Sequence, residues 1–135
     1  MSEARPRGAN VGRAAATVSV LFLVAAALAI GDVGSCGDEV LHVEQGERLL
    51  RYYRTSGADR SALSFRNLRL YGGLFDLLST LSVGALPGLP AHHVRHALTA
   101  LSGSVGVYFA ARIAALFGGA PAAWLAGLLL LTTPR

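Results

Sequence analysis

The sequence predicts an all-α integral membrane protein: an N-terminal transmembrane helix, an extracytoplasmic loop with amphipathic helices, and then a transmembrane helical hairpin. Three observations carry this. The composition is 53% hydrophobic against 15% charged, with a mean hydropathy of +0.48, too apolar for an ordinary soluble domain. An uncharged run, "AAATVSVLFLVAAALAIG", fills residues 14–31. A second apolar region opens after His92 and is interrupted by "GGAP" at 118–121.

At 135 residues the chain allows one domain at most. The net charge of +4 comes from twelve arginines and no lysine, and those arginines are spread among apolar segments. That distribution argues against a nucleic-acid surface, which gathers its cations on one face. A single cysteine, Cys36, excludes an intramolecular disulfide and a multi-cysteine metal site.

The first run holds 18 residues. As a helix it reaches about 27 Å, close to the roughly 30 Å hydrocarbon core. Arg5, Arg7 and Arg13 precede it against the lone Glu3, so the positive-inside rule keeps the N-terminus in the cytoplasm and sends the following residues outside. The expected location is therefore the inner or plasma membrane, with a multi-pass topology. "ALA" at 27–29 and "VGSC" at 33–36 also meet part of the pattern of a cleaved signal or a lipoprotein box. Asp32 interrupts the apolar approach to that box, and the run exceeds a signal core of about 7–15 residues, so an uncleaved anchor is expected.

Residues 32–93 are polar enough for a loop and too poor in apolar side chains for an independent core. Its first part predicts a helix in which Asp38 serves as N-cap, Glu39 sits in the first turn and Gly57 ends the segment. Glu44 with Arg48 and Glu47 with Arg51 are spaced i,i+4 in the favourable order. Val40, Val43, Leu50 and Tyr53, with Leu49 and Tyr52 beside them, form an apolar side suited to a membrane interface. The second part, "GGLFDLLSTLSVGALPGLP" at 72–90, carries a short apolar helical face that Gly84 and Pro87 end.

The second spanning helix is expected over 94–117, with Arg112 close enough to its end for the guanidinium to snorkel to the cytoplasmic interface. Gly118, Gly119 and Pro121 make a tight turn. The return helix, 120–133, is too short to span by itself and reads as a third transmembrane helix caught near its exit by Pro134 and Arg135. His92 and His96 stand i,i+4 without the Glu of a zinc-protease motif, so no metal is expected. The glycines near 118 lack a P-loop lysine, and no other cofactor is indicated.

Taken together, the first helix, the acidic pair Asp38 and Glu39 just beyond it, the amphipathic loop and "VRHALTALSGSVGVYFAARIAALFGGAPAAWLAGLLLLTTPR" resemble the start of the polyprenyl-phosphate-sugar-dependent membrane glycosyltransferases, in particular the protein O-mannosyltransferase family. The resemblance lies in the order of Arg95, Gly103 or Gly106, Val107 with Tyr108, Arg112, Phe117 with Gly118, and Thr133 with Pro134. It covers most of this chain but only the first few helices of such an enzyme, so the chain reads as an amino-terminal fragment, inactive alone. Where many relatives carry a His-Pro-Pro stretch, this loop has "LYGGLFDLL".

The resemblance implies transfer of a sugar from a polyprenyl-phosphate donor to an extracytoplasmic acceptor hydroxyl. It implies Asp38 as the acid that orients or deprotonates the acceptor, with Glu39 beside it. Arg95 would support the acid or pair with the donor phosphate, and Arg69 and Tyr71 are the further candidates for donor contact. The bilayer, the lipid-linked sugar and the acceptor are the partners implied. The competing expectation is a small integral membrane protein without chemistry, or a lipoprotein anchored through Cys36.

Overall fold

The computed structural model describes residues 7–34 and 37–133. It is all-helical: α1 (Arg7–Ala29), α2 (Gly37–Arg54), α3 (Leu74–Ala85) and α4 (Ala91–Thr132) are joined by short 3₁₀ helices at Ser61–Ser64 and Asn67–Leu70, with no strand among the described residues. Two compact units divide the chain, one made of α1 with α4 from Thr99 onward, the other of residues 31–98. Glu3, Arg5, Cys36, Pro134 and Arg135 of the sequence argument lie outside the described residues.

The first unit is built from small residues. Ala14, Ala15, Val18, Val107, Ala111 and Ala123 form its buried cluster, with Phe22, Tyr108, Ala115 and Ala120 packed against it. α4 departs from helical geometry at Gly118 (φ −143°, ψ 17°) and Gly119 (φ 65°, ψ −153°). The second of these conformations suits a residue without Cβ, and Pro121 then opens the next helical arm, where its missing N–H is not needed. Val18 shares a cluster with Val107 and Ala111 and also abuts Gly127. In a straight helix Val107 and Gly127 would lie about 30 Å apart, so contact of both with one valine requires the chain to fold back. The hairpin expected at 118–121 is there.

Polar atoms lock the same packing. The Ser19 hydroxyl lies 2.8 Å from both the carbonyl and the hydroxyl of Ser104, and the Ser104 hydroxyl is 3.2 Å from the Ser19 carbonyl. Small and hydroxylated residues at such a seam let backbones approach closely, which is how helices associate where no hydrophobic drive separates them from lipid. α1 and α4 are the two described helices long and apolar enough to cross a membrane, and only 17% and 11% of their most apolar windows are buried, unlike the core helix of a soluble protein. Leu28, Leu116 and Phe117 stand almost fully exposed.

The helix limits differ from expectation at the start. α1 begins at Arg7 rather than residue 14, so Arg13 is inside it. The intervening "GANVGRA" contains no proline to stop the helix, and alanine favours it. α4 likewise begins at Ala91, directly after Pro90, whose carbonyl accepts from the Val94 N–H at 3.2 Å.

In the second unit α2 and α3 pack together. α2 ends as expected before Gly57, whose N–H donates to the Tyr52 carbonyl at 2.8 Å with a φ of 86°. α3 ends at Ala85, its Leu86 cap donating back to Ser82 and Val83, with Pro87 next. Glu44 and Arg48 form the expected pair at 2.6 Å. Arg51 reaches Asp59 at 3.4 Å instead. The buried positions of α2 are Gln45 and Gly46, while Val40 and Tyr53 from the apolar side stay exposed. Gln45 donates to the Ala62 carbonyl at 3.3 Å, and the Arg48 guanidinium lies 4.3 Å over the Phe65 ring. These two contacts tie the 3₁₀ segment to α2.

Candidate functional site

The residues with chemistry in the second unit gather where α2, α3 and the beginning of α4 meet. On α2, Glu39, His42, Gly46 and Leu49 recur at intervals of three and four, which puts them along one side of the helix. Gly73, the residue before α3, and Asp76 and Thr80 within it are spaced the same way. A Cβ on Gly46 would collide with the Thr80 side chain and the Asp76 carbonyl, and one on Gly73 would meet the Leu49 side chain. The missing side chains therefore set the close approach of the two helices, and that approach brings His42 to Asp76.

Asp76 is the centre. Its side chain is only 7% exposed, and His42 Nδ1 lies 3.1 Å from each of its carboxylate oxygens. A carboxylate only accepts, so Nδ1 is the donor and carries the proton. An Arg95 Nη2 lies 3.7 Å from Asp76 Oδ1, and Arg95 Nε lies 3.5 Å from Glu39 Oε1. The second oxygen of Glu39 is 3.8 Å from His96 Nε2. Glu39, Asp76 and Arg95 are all nearly buried. The guanidinium thus bridges two carboxylates, one from each loop helix, at ion-pair rather than hydrogen-bond distance.

Such a cluster is held by mutual compensation. A carboxylate withdrawn from water is tolerable only when paired, and removing one partner of a buried pair costs about 3–5 kcal/mol because a charge is left uncompensated. One guanidinium faces two carboxylates here. An imidazole stands beside each carboxylate, His42 against Asp76 and His96 against Glu39. His96 Nδ1 is buried with no hydrogen-bond partner, and so is the Ser79 hydroxyl on α3. A small cavity of about 60 Å³ adjoins the cluster, lined by Val43, Glu47, Thr80, Val83, Ala91 and Arg95.

Of the residues singled out from sequence, Glu39 and Arg95 come together here. Asp38 is the second residue of α2, which begins at Gly37, so it belongs to the first turn rather than capping it, and it is exposed. Arg69 is the third residue of the 3₁₀ helix Asn67–Leu70, and Tyr71 follows that helix; both side chains are exposed. Neither makes an ion pair with the cluster among the described residues.

Sequence reasoning missed His42 and Asp76. Asp76 carried a legible signal, being the one acid inside "GGLFDLLSTL", where a charge must find a partner or face water. His42 carried none until the helix pairing was known. Among the described residues no group of three or more His, Cys, Asp or Glu side chains has the arrangement of a metal site.

Compared with protein families, curated proteins and solved structures, the chain matches none.

Proposed function

We propose that this chain is the amino-terminal part of a multi-pass membrane glycosyltransferase that moves a sugar from a polyprenyl-phosphate donor to an extracytoplasmic acceptor hydroxyl. Its N-terminus is cytoplasmic, and residues 32–93 face the other side. The observation that carries the reading is the pair of Glu39 and Arg95, 3.5 Å apart, which joins an acid in the first turn after the anchor helix to an arginine at the start of the next apolar helix. The family resemblance implies Asp38 as the acid and Arg95 as its support; here the arginine meets the neighbouring Glu39 instead and anchors the turn that carries Asp38.

The chemistry follows from where the charges stand. A helix N-terminus favours an anion, so the first turn of α2 is a suitable seat for a carboxylate that must hold an acceptor hydroxyl. Glu39 is paired with Arg95, lies beside His96 and fixes that turn. Asp38 remains exposed beside it, within reach of an incoming hydroxyl. Arg69 and Tyr71, also exposed, offer a guanidinium and a phenol to a donor phosphate, the bidentate chemistry for which arginine is suited.

The test is transfer by the full-length protein in membranes supplied with a polyprenyl-phosphate sugar. Asp38→Asn keeps a side-chain oxygen in the first turn but removes charge and basicity. Turnover should fall about a hundredfold while membrane yield is unchanged, the range for misplacing a reacting group. Wild-type turnover in Asp38→Asn, with only yield reduced in Asp38→Ala, would make the residue a helix-end anion and nothing more.

A further inference from the structure

We infer that His42, aligned by Asp76, is the base that receives the acceptor proton; this rests on the transferase reading above. The geometry has three parts. Nδ1 of His42 is tied to both oxygens of a carboxylate that is itself nearly buried. Asp76 cannot swing away, because Arg95 holds one of its oxygens at 3.7 Å and its backbone is packed against Gly46. The other nitrogen, Nε2, has no partner among the described residues, and 36% of the side chain is exposed.

An imidazole serving only as the partner of a buried carboxylate gains from having both nitrogens satisfied. Here one nitrogen is anchored and the other keeps its lone pair, because a proton fixed on Nδ1 makes Nε2 the acceptor in the neutral ring. A buried carboxylate that fixes tautomer and ring orientation is the supporting half of a general-base dyad. His42 also stands four residues beyond Asp38, so the two side chains are neighbours on α2, about 5–6 Å apart at Cβ. An acceptor hydroxyl held by Asp38 is then within reach of Nε2.

The step balances without a further reactant. The acceptor oxygen forms its bond to the anomeric carbon, the bond from that carbon to the phosphate oxygen breaks, and the electron pair leaves with the polyprenyl phosphate. The hydroxyl proton passes to His42 Nε2. Asp76 stabilises the imidazolium so formed and stays ionised. His42 touches the reacting hydroxyl, whereas Asp76 is a positioning residue.

Two measurements on the full-length protein test this. His42→Ala should lower transfer about a hundredfold, and added imidazole should restore it in proportion to concentration, since a free base can occupy the vacated space. In ¹⁵N-histidine spectra of the detergent-solubilised protein, the His42 resonances, assigned by their loss in His42→Ala, should show the proton on Nδ1 in the wild type. Asp76→Asn should abolish that preference and reduce transfer. Transfer by His42→Ala within threefold of wild type, loss that imidazole does not restore, or a wild-type proton on Nε2 would each overturn the role of His42. A wild type that moves no sugar at all would instead sink the transferase reading, while the nitrogen spectra would still report whether Asp76 fixes the ring.

Discussion

Gly46 on α2 lies against the backbone carbonyl of Asp76 on α3, so closely that no side chain fits between them. The same residue of α3 that supplies this contact supplies the carboxylate that His42 grips. Helix spacing and site geometry are therefore one property. A methyl at position 46 has to push α3 outward, and the His42–Asp76 distance lengthens with it.

Gly46→Ala is expected to destabilise the second unit by about 1–3 kcal/mol, the usual cost of overpacking a close contact. The slight helix-propensity gain of alanine over glycine opposes this and is smaller, at about 1 kcal/mol. Thermal unfolding followed by circular dichroism in detergent gives the sign. A rise in melting temperature would mean that α3 yields without strain.

Arg95 bridges Glu39 and Asp76, so its loss leaves two sheltered carboxylates with less compensation than they need. Arg95→Met should cost about 3–5 kcal/mol. Removing the charges together, as Glu39→Gln with Asp76→Asn in the Arg95→Met background, should recover part of that. A double-mutant cycle in which the losses simply add would show that the bridge carries no coupling.

Asp59 gives a prediction in pH. Hydrogen bonds from Ser61 hold its carboxyl below the ordinary aspartate value, with Arg51 adding to the effect. A depressed folded pKa stabilises above the unfolded value and is lost as pH falls through the folded one. Protection of the Ser61 amide, its exchange measured relative to the intrinsic rate at each pH, should therefore be highest at neutral pH and fall under acid conditions, below about pH 4. In Asp59→Asn that acid-dependent change should vanish. A Ser61 amide equally protected at all pH values would mean that the turn does not need the charge.

Much of this fold was legible because two kinds of local chemistry spoke plainly. Apolar length marked α1 and α4, and glycine with proline marked the break at 118–121 and the ends of α2 and α3. Resemblance brought Arg95 to the acidic pair but to Asp38 rather than Glu39, since nothing local relates residues 56 positions apart. The dyad was not legible at all. Which side of α2 turns toward α3 depends on Gly46, and a glycine in a helix ordinarily signals weakness rather than contact. The 3₁₀ segments went unread for a related reason. They are held by tertiary contacts such as Gln45 to Ala62, not by a periodicity of their own.

The last prediction concerns sidedness, for which arginine placement is the only argument. Arg13 lies in the first turns of α1, and Arg112 lies shortly before the Gly118–Gly119 break. On the proposed topology both belong to cytoplasmic ends, where anionic lipid would attract them and the membrane potential would oppose their export. Ser56, beyond the far end of α2, then belongs outside. With Cys36 first replaced by serine, a cysteine at Ser56 should react with a membrane-impermeant maleimide added to intact cells, and one at Gly119 should react only after the membrane is opened. Because Gly119 has a φ of 65°, cysteine there is strained, and Phe117 serves as a second cytoplasmic reporter on the same turn. Labelling of Phe117→Cys from outside, with Ser56→Cys protected, would reverse the orientation and put the Glu39–Arg95 pair on the side where no extracytoplasmic acceptor could reach it.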